Sequence, residues 1–581
     1  MRSGLREERV TYNELWRSIN GIAGHFRQTL GFTAGARVVL RAANSPSAAV
    51  AQLALMRAGL VSVPVDLNAP RQLIEEIGRQ TEAAAIVHGD ADNPVPAIAG
   101  VPLSSLCQIA DHGGDIPLPA GEETAEIVFT SGTTGKPKGV ILTHGNIAAN
   151  VRSIQHIVPK DEDLRLLSVL PLSHMFEQTV GLATPLLLGG SVHYASGRSS
   201  PAIRRALMRY RITCMVIVPQ ILELMLRSIE REARDAPTWL DWDRAQALAE
   251  HLPRTLRRLL FRRVIEALGG HLSFFMTGGA NLSPDVSLGW ERMGIRVMEG
   301  YGTTECSPVI TSHTIRDRSA GTVGYPLPGV EVRLSSAGEV QVRGDNVTPG
   351  YWHDELKTTE AFSEDGWFRT GDLADHDSQG RLRLKGRVKD MIVLASGHNV
   401  FPEDIERELI AESAILESAV VGMPDASGNL HVHAVIRSER DQDDISTAVH
   451  NANSRLLPYQ NISGYTVWTQ GEFPKTALMK LKRHQVRQAL LADGLASAKD
   501  AKARCDTAPD RLLGLVAEIC HVPPGAIEPK SDLQLDLGLD SLAAVELTAV
   551  LEQELGVSIN ETQLQELTEY RELAGLVAEN K

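Results

Sequence analysis

The segment EIVFTSGTTGKPKGVILTH, residues 126–144, constrains this chain more than any other. A hydrophobic run leads into a stretch of glycine, hydroxyl and lysine residues, and a second hydrophobic run follows. Glycines let consecutive backbone N–H groups face an anion, while hydroxyls and lysines add donors and positive charge. The spacing is not that of a Walker P-loop, since Gly132 and Gly135 are two residues apart and Pro137 follows Lys136. The segment therefore predicts a loop between two strands that cradles a polyphosphate.

Hydrophobic periodicity predicts alternating helices and strands in the first hundred residues. NELWRSINGIAGHFRQTL and AVAQLALMRAGL have helical spacing, whereas ARVVL and VSVPVD are typical of buried strands. The alternation continues through CMVIVPQ, HLSFFMTGG and IRVMEGYG, which favours a layered α/β domain. From about residue 321, short runs broken by glycine and proline predict a small antiparallel β region, and an α+β unit follows from about 390.

The net charge is −14, and it is unevenly distributed. Residues 510–581 contain 14 acidic and four basic side chains, so this segment carries −10 of the total. The asymmetry indicates an acidic terminal module that presents a partner surface, and it argues against nucleic-acid binding. The 19 residues before it, 491–509, are small and polar, which predicts a linker.

Other global features exclude several classes of protein. The five cysteines are scattered without a CxxC pair, so neither a zinc ribbon nor a disulfide framework is indicated. The N-terminus has no apolar signal region, and the most apolar stretch, 179–192, is shorter than the ~20 residues that a spanning helix needs. We expect a cytoplasmic protein without a membrane span, in which residues 179–192 form buried core or a pocket wall.

The loop TSGTTGKPKGV resembles the phosphate loop of the adenylate-forming superfamily, which contains acyl-CoA synthetases, nonribosomal adenylation domains and luciferases. The resemblance extends over about residues 11–490, where further motifs of the family occur in order. It implies an α/β multidomain fold with a large N-terminal domain (1–388, layered sheets and helices plus a small β region) and a small α+β C-terminal subdomain (389–490).

The resemblance also implies an ATP site. The expected contacts with ATP come from the phosphate loop (Thr130, Ser131, Gly132, Thr133, Thr134, Gly135, Lys138), from TGGA beside the adenine (Gly278, Gly279, Ala280) and from EGYGTTE (Glu299, Gly300, Tyr301, Gly302, Thr304, Glu305). In these motifs Tyr301 stacks on adenine, Thr304 donates to the α-phosphate and Glu305 holds Mg²⁺.

Motifs nearer the C-terminus complete the set that the resemblance implies. Asp372 in WFRTGD accepts from both ribose hydroxyls, Arg387 in KGRVKD contacts ribose or phosphate, and Lys389 is the hinge. FPKTALMKLKR supplies the catalytic Lys480. The commoner form of that motif has glycine before the lysine, where this chain has Met479.

The segment LPLSHMFEQ, 170–178, corresponds to the wall of the carboxylate pocket in this family. His174 takes the place of a gating aromatic or histidine residue and is counted among the catalytic candidates; the alternative is an ordinary core histidine. Glu177 is the one acid in the segment, whereas amino-acid-activating members carry an aspartate nearby. The pattern therefore favours a carboxylic acid without an α-amino group, most like the substrates of fatty acyl ligases and acyl-carrier-protein synthetases.

The terminal module, 510–581, resembles acyl and peptidyl carrier proteins. GLDSLAAVEL contains the motif for attachment of 4′-phosphopantetheine, on Ser541. A helix N-terminus suits a phosphodiester, and Asp540 can cap that helix. The resemblance implies a helical-bundle carrier domain.

Together these motifs predict an acid–thiol ligase that forms acyl-AMP from ATP and transfers the acyl group to its own carrier domain. The expected partners are a fatty acid, a phosphopantetheinyl transferase and a downstream acyl-accepting enzyme. Two alternatives remain open: a CoA ligase whose carrier serves another enzyme, and an inactive adenylate-binding scaffold.

The segment PRTLRRLLFRRVIEALGG, 253–270, has five arginines among apolar residues at helical spacing. The simplest interpretation is an amphipathic helix with a solvated basic face. The alternative is a docking surface for the acidic module or for anionic lipid.

Overall fold

The computed structural model describes residues 9–89, 95, 97–109, 116–130, 137–158, 163–195, 200–235, 241–395, 398–424, 429–440, 442–475, 481–491, 508–520, 522, 527–533, 536–537, 539, 547, 551, 557, 559 and 567–579. These residues form two compact units, and the chain passes from one to the other between Leu384 and Lys385. Each unit is described separately.

The strands are, in chain order, β1 (Arg37–Arg41), β2 (Val61–Pro64), β3 (Ala85–His88), β4 (Gly100–Pro102), β5 (Thr124–Thr130), β6 (Lys138–Thr143), β7 (Arg165–Ser168), β8 (Ser191–Tyr194), β9 (Cys214–Ile217), β10 (Phe274–Thr277), β11 (Arg296–Gly302), β12 (Val309–Ser312), β13 (Tyr325–Pro326), β14 (Val330–Leu334), β15 (Glu339–Gly344), β16 (Gly350–Tyr351), β17 (Phe368–His376), β18 (Leu382–Arg387), β19 (Ile392–Val393), β20 (Asn399–Val400), β21 (Glu417–Pro424), β22 (Leu430–Arg437) and β23 (Gly464–Val467).

The α-helices are α1 (Tyr12–Gly24), α2 (Pro46–Arg57), α3 (Arg71–Gln80), α4 (Leu103–Leu106), α5 (His144–Ile154), α6 (Thr184–Leu187), α7 (Ser200–Tyr210), α8 (Pro219–Asp235), α9 (Trp242–Glu250), α10 (Arg254–Leu260), α11 (Arg262–Ala267), α12 (Pro284–Arg292), α13 (Glu355–Ala361), α14 (Pro402–Ile410), α15 (Gln442–Asn453), α16 (483–491), α17 (Ala508–Ile519) and α18 (Tyr570–Glu579). Two π-helical segments, His25–Thr29 and Glu177–Ala183, and two 3₁₀ turns, Thr304–Cys306 and Pro458–Gln460, complete the elements.

Two seven-stranded sheets form the body of the first unit. Their strand orders are β16-β6-β5-β2-β1-β3-β4 and β13-β12-β11-β10-β9-β7-β8. The central strands run parallel and are buried, which explains their largely apolar content. A four-stranded antiparallel sheet, β14-β15-β17-β18, follows. The predicted α/β class and the change to antiparallel strands near residue 321 are therefore confirmed.

Local sequence explains where the first helices begin. Thr11 and Glu14 form a capping box at α1, and Ser45 accepts from the backbone N–H of Ala48 at the start of α2, where Pro46 takes the first position. Helix α2 ends before Gly59, whose φ of +64° allows the turn into β2.

The second unit contains a three-stranded sheet, β21-β22-β23, and the two-stranded β19-β20. Helices α14 and α15 contribute Ile405, Leu409 and Ala448 to a core that also contains Val420 and Ile436. Near the C-terminus, α17 and α18 contribute Val516 and Leu573 to a separate apolar cluster. Both helices agree with the helical carrier domain that the resemblance implies.

The prediction of a solvated basic face over residues 253–270 is wrong for its first three arginines, whereas Arg262 and Arg263 are exposed as expected. The segment breaks at Phe261, and the side chains of Arg254, Arg257 and Arg258 are partly buried donors to backbone carbonyls, including those of Gly294, Glu291 and Leu272 at 3.0, 3.1 and 2.7 Å. Leu256 and Leu259 in the first half are exposed, at 46% and 64%. The physical reason is that strand and helix ends leave carbonyls without partners, which guanidinium groups satisfy.

Candidate adenylate-forming site

Strands β5 and β6 form an antiparallel hairpin on either side of the predicted phosphate loop. Thr130 at the end of β5 pairs in register with Lys138 at the start of β6. Residues 131–136 lie outside the described residues, so the predictions for Ser131, Gly132, Thr133, Thr134 and Gly135 stay predictions. The two strands that the sequence predicted on either side of these residues are present.

The side chain of Lys138 meets two residues from distant parts of the first unit. Its Nζ lies 4.0 Å from Oε1 of Glu305 and donates to the hydroxyl of Tyr351 at 3.3 Å. Tyr351 donates in turn to Oε1 of Glu305 at 2.9 Å. The ammonium also lies 4.3 Å from the centre of the Tyr351 ring, within cation–π range. The first and third expected ATP motifs therefore meet at one charged cluster.

Sequence reasoning missed Tyr351. It enters the cluster because β16 pairs antiparallel with β6, with Tyr351 opposite Val140. Burial, together with the neighbouring Glu305 carboxylate, raises the pKa of Tyr351 well above its usual value, so the phenol keeps its proton and acts as a donor. No pattern in PGYW signals this role, because it depends on the pairing of two strands far apart in sequence.

The donor set fits a magnesium ion held jointly with a nucleotide. Among the described residues, no three His, Cys, Asp or Glu side chains group as a metal site. Mg²⁺ is commonly held by one or two carboxylates together with phosphate oxygens rather than by a protein cage. Glu305, with one oxygen turned to Tyr351, offers a single carboxylate of that kind.

Tyr301 and Asp372 lie next to each other. The Tyr301 hydroxyl on β11 donates to Oδ2 of Asp372 on β17 at 2.7 Å. The backbone N–H of Asp372 donates to the hydroxyl of Thr370 at 3.1 Å, and this hydrogen bond holds the backbone of β17 at Asp372. The structure thus brings together the residues that sequence reasoning assigned to the adenine and the ribose. Burial raises the pKa of Tyr301 above its usual value, and the adjacent Asp372 carboxylate adds to the shift.

The glycines of TGGA and EGYG permit a close approach of two strand ends. Thr277 pairs in parallel register with Glu299, so Gly278 lies against Gly300. A Cβ on Gly278 would lie 2.7 Å from the Gly300 carbonyl oxygen, and one on Gly302 would lie 1.8 Å from that of Pro308. Gly279 has a φ of +84°, and Ala280 follows it, partly buried. These positions need glycine for backbone reasons.

The carboxyl of Glu299 supports the turn after β10. It is buried and accepts from the backbone N–H of Leu282, and burial raises its pKa to about 8. Two hydrogen bonds from His313 hold the backbone of Glu299. The ring Nδ1 of His313 accepts the Glu299 backbone N–H at 3.2 Å, and the backbone N–H of His313 donates to the Glu299 carbonyl at 2.9 Å. Sequence reasoning missed His313, since it lies in no family motif.

Thr304 opens the 3₁₀ turn that follows β11, and Glu305 is its next residue. Thr304 is partly exposed, and its carbonyl accepts the N–H of Ser307 at 3.2 Å. Two buried amides hold this turn: the side chains of Asn150 and Asn346 donate to the Cys306 carbonyl at 3.3 and 2.8 Å. Both amides belong to supporting positions that the sequence did not reveal.

His174 lies just before the second π-helical segment. Its carbonyl accepts the N–H groups of Glu177 and Gln178 at 3.0 and 3.1 Å, and its side chain is partly buried. Glu177, the acid that the sequence analysis singled out, is only 1% exposed, and its carboxylate lies against Gly181 of the next turn. Of residues 179–192, which were expected to form buried core or a pocket wall, 179–182, Thr184 and Pro185 are buried, whereas Leu187 is exposed.

Arg387 and Lys389 belong to the second unit. Arg387 ends β18, and its carbonyl accepts from the N–H groups of Asp390 and Met391 at 3.1 and 3.0 Å, so Lys389 occupies an exposed turn. Near it, Arg483 is buried among the carboxylates of Asp390, Glu403 and Glu406 at 3.2, 2.9 and 2.6 Å. These carboxylates raise the pKa of Arg483 above its already high value. Lys480 and Ser541 lie outside the described residues.

Within the ranges described above, no helix has the length and apolar character needed to cross a membrane.

Comparison with known proteins supports the same assignment. The AMP-binding enzyme family matches residues 5–352, and the phosphopantetheine attachment site family matches residues 510–577. The long-chain-fatty-acid–CoA ligase FadD15 of Mycobacterium bovis is 31% identical over 438 residues, which cover 68% of this chain and 72% of that protein. A long-chain-fatty-acid–CoA ligase of Yersinia pestis is 28% identical over 558 residues, 84% of this chain and 92% of that protein.

Among solved structures, ATP-bound MatB from Rhodopseudomonas palustris has a TM-score of 0.71 at 25% identity and covers 83% of this chain and 94% of its own. MenE from Bacillus subtilis, with its acyl-adenylate OSB-AMP, has a TM-score of 0.69 at 22% identity, which shows the shared fold. The fold and these similarities define an adenylate-forming ligase. The chain belongs to the AMP-binding enzyme family, and it carries a C-terminal phosphopantetheine attachment domain.

Proposed function

We propose that this ligase converts a carboxylic acid and ATP into acyl-AMP and pyrophosphate and then loads the acyl group onto its own carrier domain. The observation that carries the first half is the cluster of Lys138, Glu305 and Tyr351 at the end of the phosphate-loop hairpin. In this cluster a cation and a carboxylate lie beside the residues that the family resemblance assigns to the phosphates of ATP.

In the first step, a carboxylate oxygen attacks the α-phosphorus of ATP and the bond to the bridging oxygen of the β-phosphate breaks. Little covalent chemistry falls to the protein, so positioning and charge stabilisation dominate. Residues 130–135 and Lys138 hold the phosphates, and Thr304 donates to the α-phosphate. Mg²⁺, held through Glu305, neutralises phosphate charge when bound. Lys480 supplies positive charge as the pyrophosphate leaves.

The nucleoside is held by residues of three motifs. The face of Tyr301 stacks on adenine beside Gly278–Ala280 and Glu299–Gly302. Asp372 accepts from the ribose hydroxyls. The hydrogen bond from Tyr301 supports this role because it orients the Asp372 carboxylate before ATP arrives. Arg387 contacts ribose or phosphate, and a pivot near Lys389 separates the two half-reactions.

The acid is most similar to a long-chain fatty acid. The support is the curated relatives, which are long-chain-fatty-acid–CoA ligases, and the buried apolar residues that follow His174, among them Val180 and Leu182. Glu177 does not supply a ready counter-ion for an α-ammonium group, since its carboxylate packs against Gly181.

The acceptor is the carrier domain. Ser541 would hold 4′-phosphopantetheine, whose thiol would accept the acyl group from acyl-AMP as the acyl–phosphate bond breaks and AMP leaves. The support is that one chain carries both the ligase and the attachment domain, separated by the 19 residues 491–509. The proposed limits are 1–388 and 389–490 for the ligase and 510–581 for the carrier. A phosphopantetheinyl transferase acts before loading, and an acyl-accepting enzyme acts after it.

A second candidate is a ligase that uses free CoA, which the names of the relatives as CoA ligases favour. Intact-mass analysis of the pantetheinylated chain with ATP and a panel of acids separates the two. We expect an acyl mass increment on the protein that survives an excess of CoA; acyl-CoA formation without protein loading would overturn the carrier proposal.

A mixing experiment tests whether transfer is within one chain. Ser541→Ala retains the ligase and Lys480→Ala retains the carrier. If transfer is intramolecular, the mixture loads far more slowly than the wild type at the same concentration, and the wild-type rate does not depend on dilution. Equal rates would show transfer between chains.

A further inference from the structure

A buried polar network in the first unit lies outside the predicted ATP motifs. Glu126 is on β5, four residues before Thr130, and its side chain is completely buried. On the neighbouring strand β2, Ser62 lies in register with Glu126 and donates to Oε1 of Gln52 at 2.8 Å. Gln52, on α2, turns its amide nitrogen to the Glu126 carboxyl, with which it makes a hydrogen bond.

The same amide nitrogen reaches the segment expected to bind the acid. Nε2 of Gln52 lies 3.3 Å from Oε1 of Gln178. Gln178 is one helical turn after His174, to whose carbonyl its backbone N–H donates at 3.1 Å. A continuous chain of hydrogen bonds therefore joins the strand that leads into the phosphate loop to the turn that presents His174.

Burial determines the charge of the network. It raises the pKa of Glu126 to about 8, so the carboxyl carries a proton near pH 7. Its Oε1 accepts from the neutral amide of Gln52, whereas Oε2 has no hydrogen-bond partner among the described residues. An ionised carboxylate at this depth would be costly.

We propose that Glu126 is a positioning residue for the acid substrate, which acts through Gln52 and Gln178 to hold the His174 turn against the strand of the phosphate loop. The inference rests on the proposed acyl-AMP chemistry. Displacement of this turn loosens the proposed wall of the acid pocket, and a loss of binding made equally in the ground and transition states appears as a higher KM for the acid.

The test uses the full chain and pyrophosphate release, with the acid and ATP titrated separately. We expect Glu126→Leu and Gln178→Leu to raise the KM for the acid by about tenfold and the KM for ATP by less than about threefold. Glu126→Gln, which keeps the size and the hydrogen bonds of the neutral acid, should stay within about threefold of the wild type for both. Equal effects of Glu126→Leu on both substrates, or a Glu126→Gln variant as impaired as Glu126→Leu, would overturn the proposal.

Thr213→Val is the matched control. Thr213 is also buried, and its hydroxyl accepts the N–H of Arg165 at 2.9 Å, on strands of the other large sheet. Its loss should lower thermal stability and leave the KM for the acid unchanged.

Amide hydrogen exchange supplies a readout that does not require activity. In Glu126→Leu, exchange should accelerate over residues 174–183 and not over β15. If that variant does not fold, Gln52→Leu is measured in its place. Unchanged exchange over 174–183 would overturn the proposal. If the wild type releases no pyrophosphate with any acid, the proposed function fails, and exchange still decides whether Glu126 holds this turn.

Discussion

The hydroxyl of Tyr301 donates to the carboxylate of Asp372 at 2.7 Å, although the two residues lie 71 positions apart in the chain. Tyr301 lies on β11, which pairs parallel with β10 and antiparallel with β12, and Asp372 lies on β17 of the four-stranded antiparallel sheet. The pair links the residues assigned to adenine and ribose in one charge-assisted hydrogen bond.

Asp372→Ala should raise the KM for ATP by tenfold or more and change the KM for the acid little, because two charge-assisted hydrogen bonds to ribose are lost. Titration of ATP in a pyrophosphate-release assay measures this. Asp375→Ala, on the same strand and paired with Arg383, is the control and should leave the KM for ATP unchanged. An ATP dependence unaffected by Asp372→Ala would remove Asp372 from the ribose site.

Tyr351→Phe should lower kcat for acyl-AMP formation about three- to tenfold, because the phenol hydrogen-bonds both Lys138 and Glu305 and its loss removes one of those bonds from each. Glu305→Gln should cost much more and should weaken the dependence on added Mg²⁺. Steady-state rates at several Mg²⁺ concentrations test both variants. A Glu305→Gln enzyme with the wild-type magnesium dependence would contradict the assigned role.

Lys480→Ala should reduce acyl-AMP formation by roughly 10²–10³, since it removes one preorganised charge from the reacting phosphate. Lys482→Ala, two residues further on, is the control for loss of a lysine from the same segment. Acid-dependent pyrophosphate exchange reports the first half-reaction directly. Exchange at the wild-type rate in Lys480→Ala would show that this lysine is not the catalytic one.

Ser541→Ala should leave acyl-AMP formation intact and abolish covalent loading, because the hydroxyl is the attachment point for phosphopantetheine. The substitution should cost well under ~1 kcal/mol of stability. Intact mass and pyrophosphate release, measured on the same sample, check both halves. An acyl mass increment on the variant would mean that the thioester lies on another residue.

The buried acids Glu126 and Glu299 predict a pH dependence of stability. Both have a pKa of about 8 in the folded protein, above the ordinary value of 4.5. Between these values the unfolded chain ionises while the native protein keeps its protons, so both contributions to stability fall as pH rises. The slope is about 1.4 kcal/mol per pH unit for each full proton of difference.

Glu126→Gln and Glu299→Gln should therefore each flatten the decline of the thermal midpoint between pH 5 and pH 8. Melting of both variants and the wild type across this range is the measurement. Parallel curves for the wild type and Glu126→Gln would show that this carboxyl is ionised in the native state.

Much of the site could be predicted from the sequence because its motifs require particular backbone conformations. The hydrophobic run into Thr130 and the short runs broken by glycine and proline near residue 321 appear as the expected strand and antiparallel sheet. The close contact of Gly278 with Gly300 was not predicted. The carrier domain could also be predicted from the sequence, because its typical length, its acidic composition and the motif GLDSL occur together in 72 residues.

Tertiary structure alone decided which side chains meet and what charge they carry. Tyr351 reaches Glu305 only because β16 pairs with β6, and Arg254, Arg257 and Arg258 turn inward because unpaired carbonyls lie beneath them. The burial that raises the pKa of Glu126 comes from packing of α2, β2 and the turn after His174 around one carboxyl. Sequence determines the local backbone, since conformation there depends on the residue and its neighbours, whereas contact and ionisation depend on distant elements that pack against it.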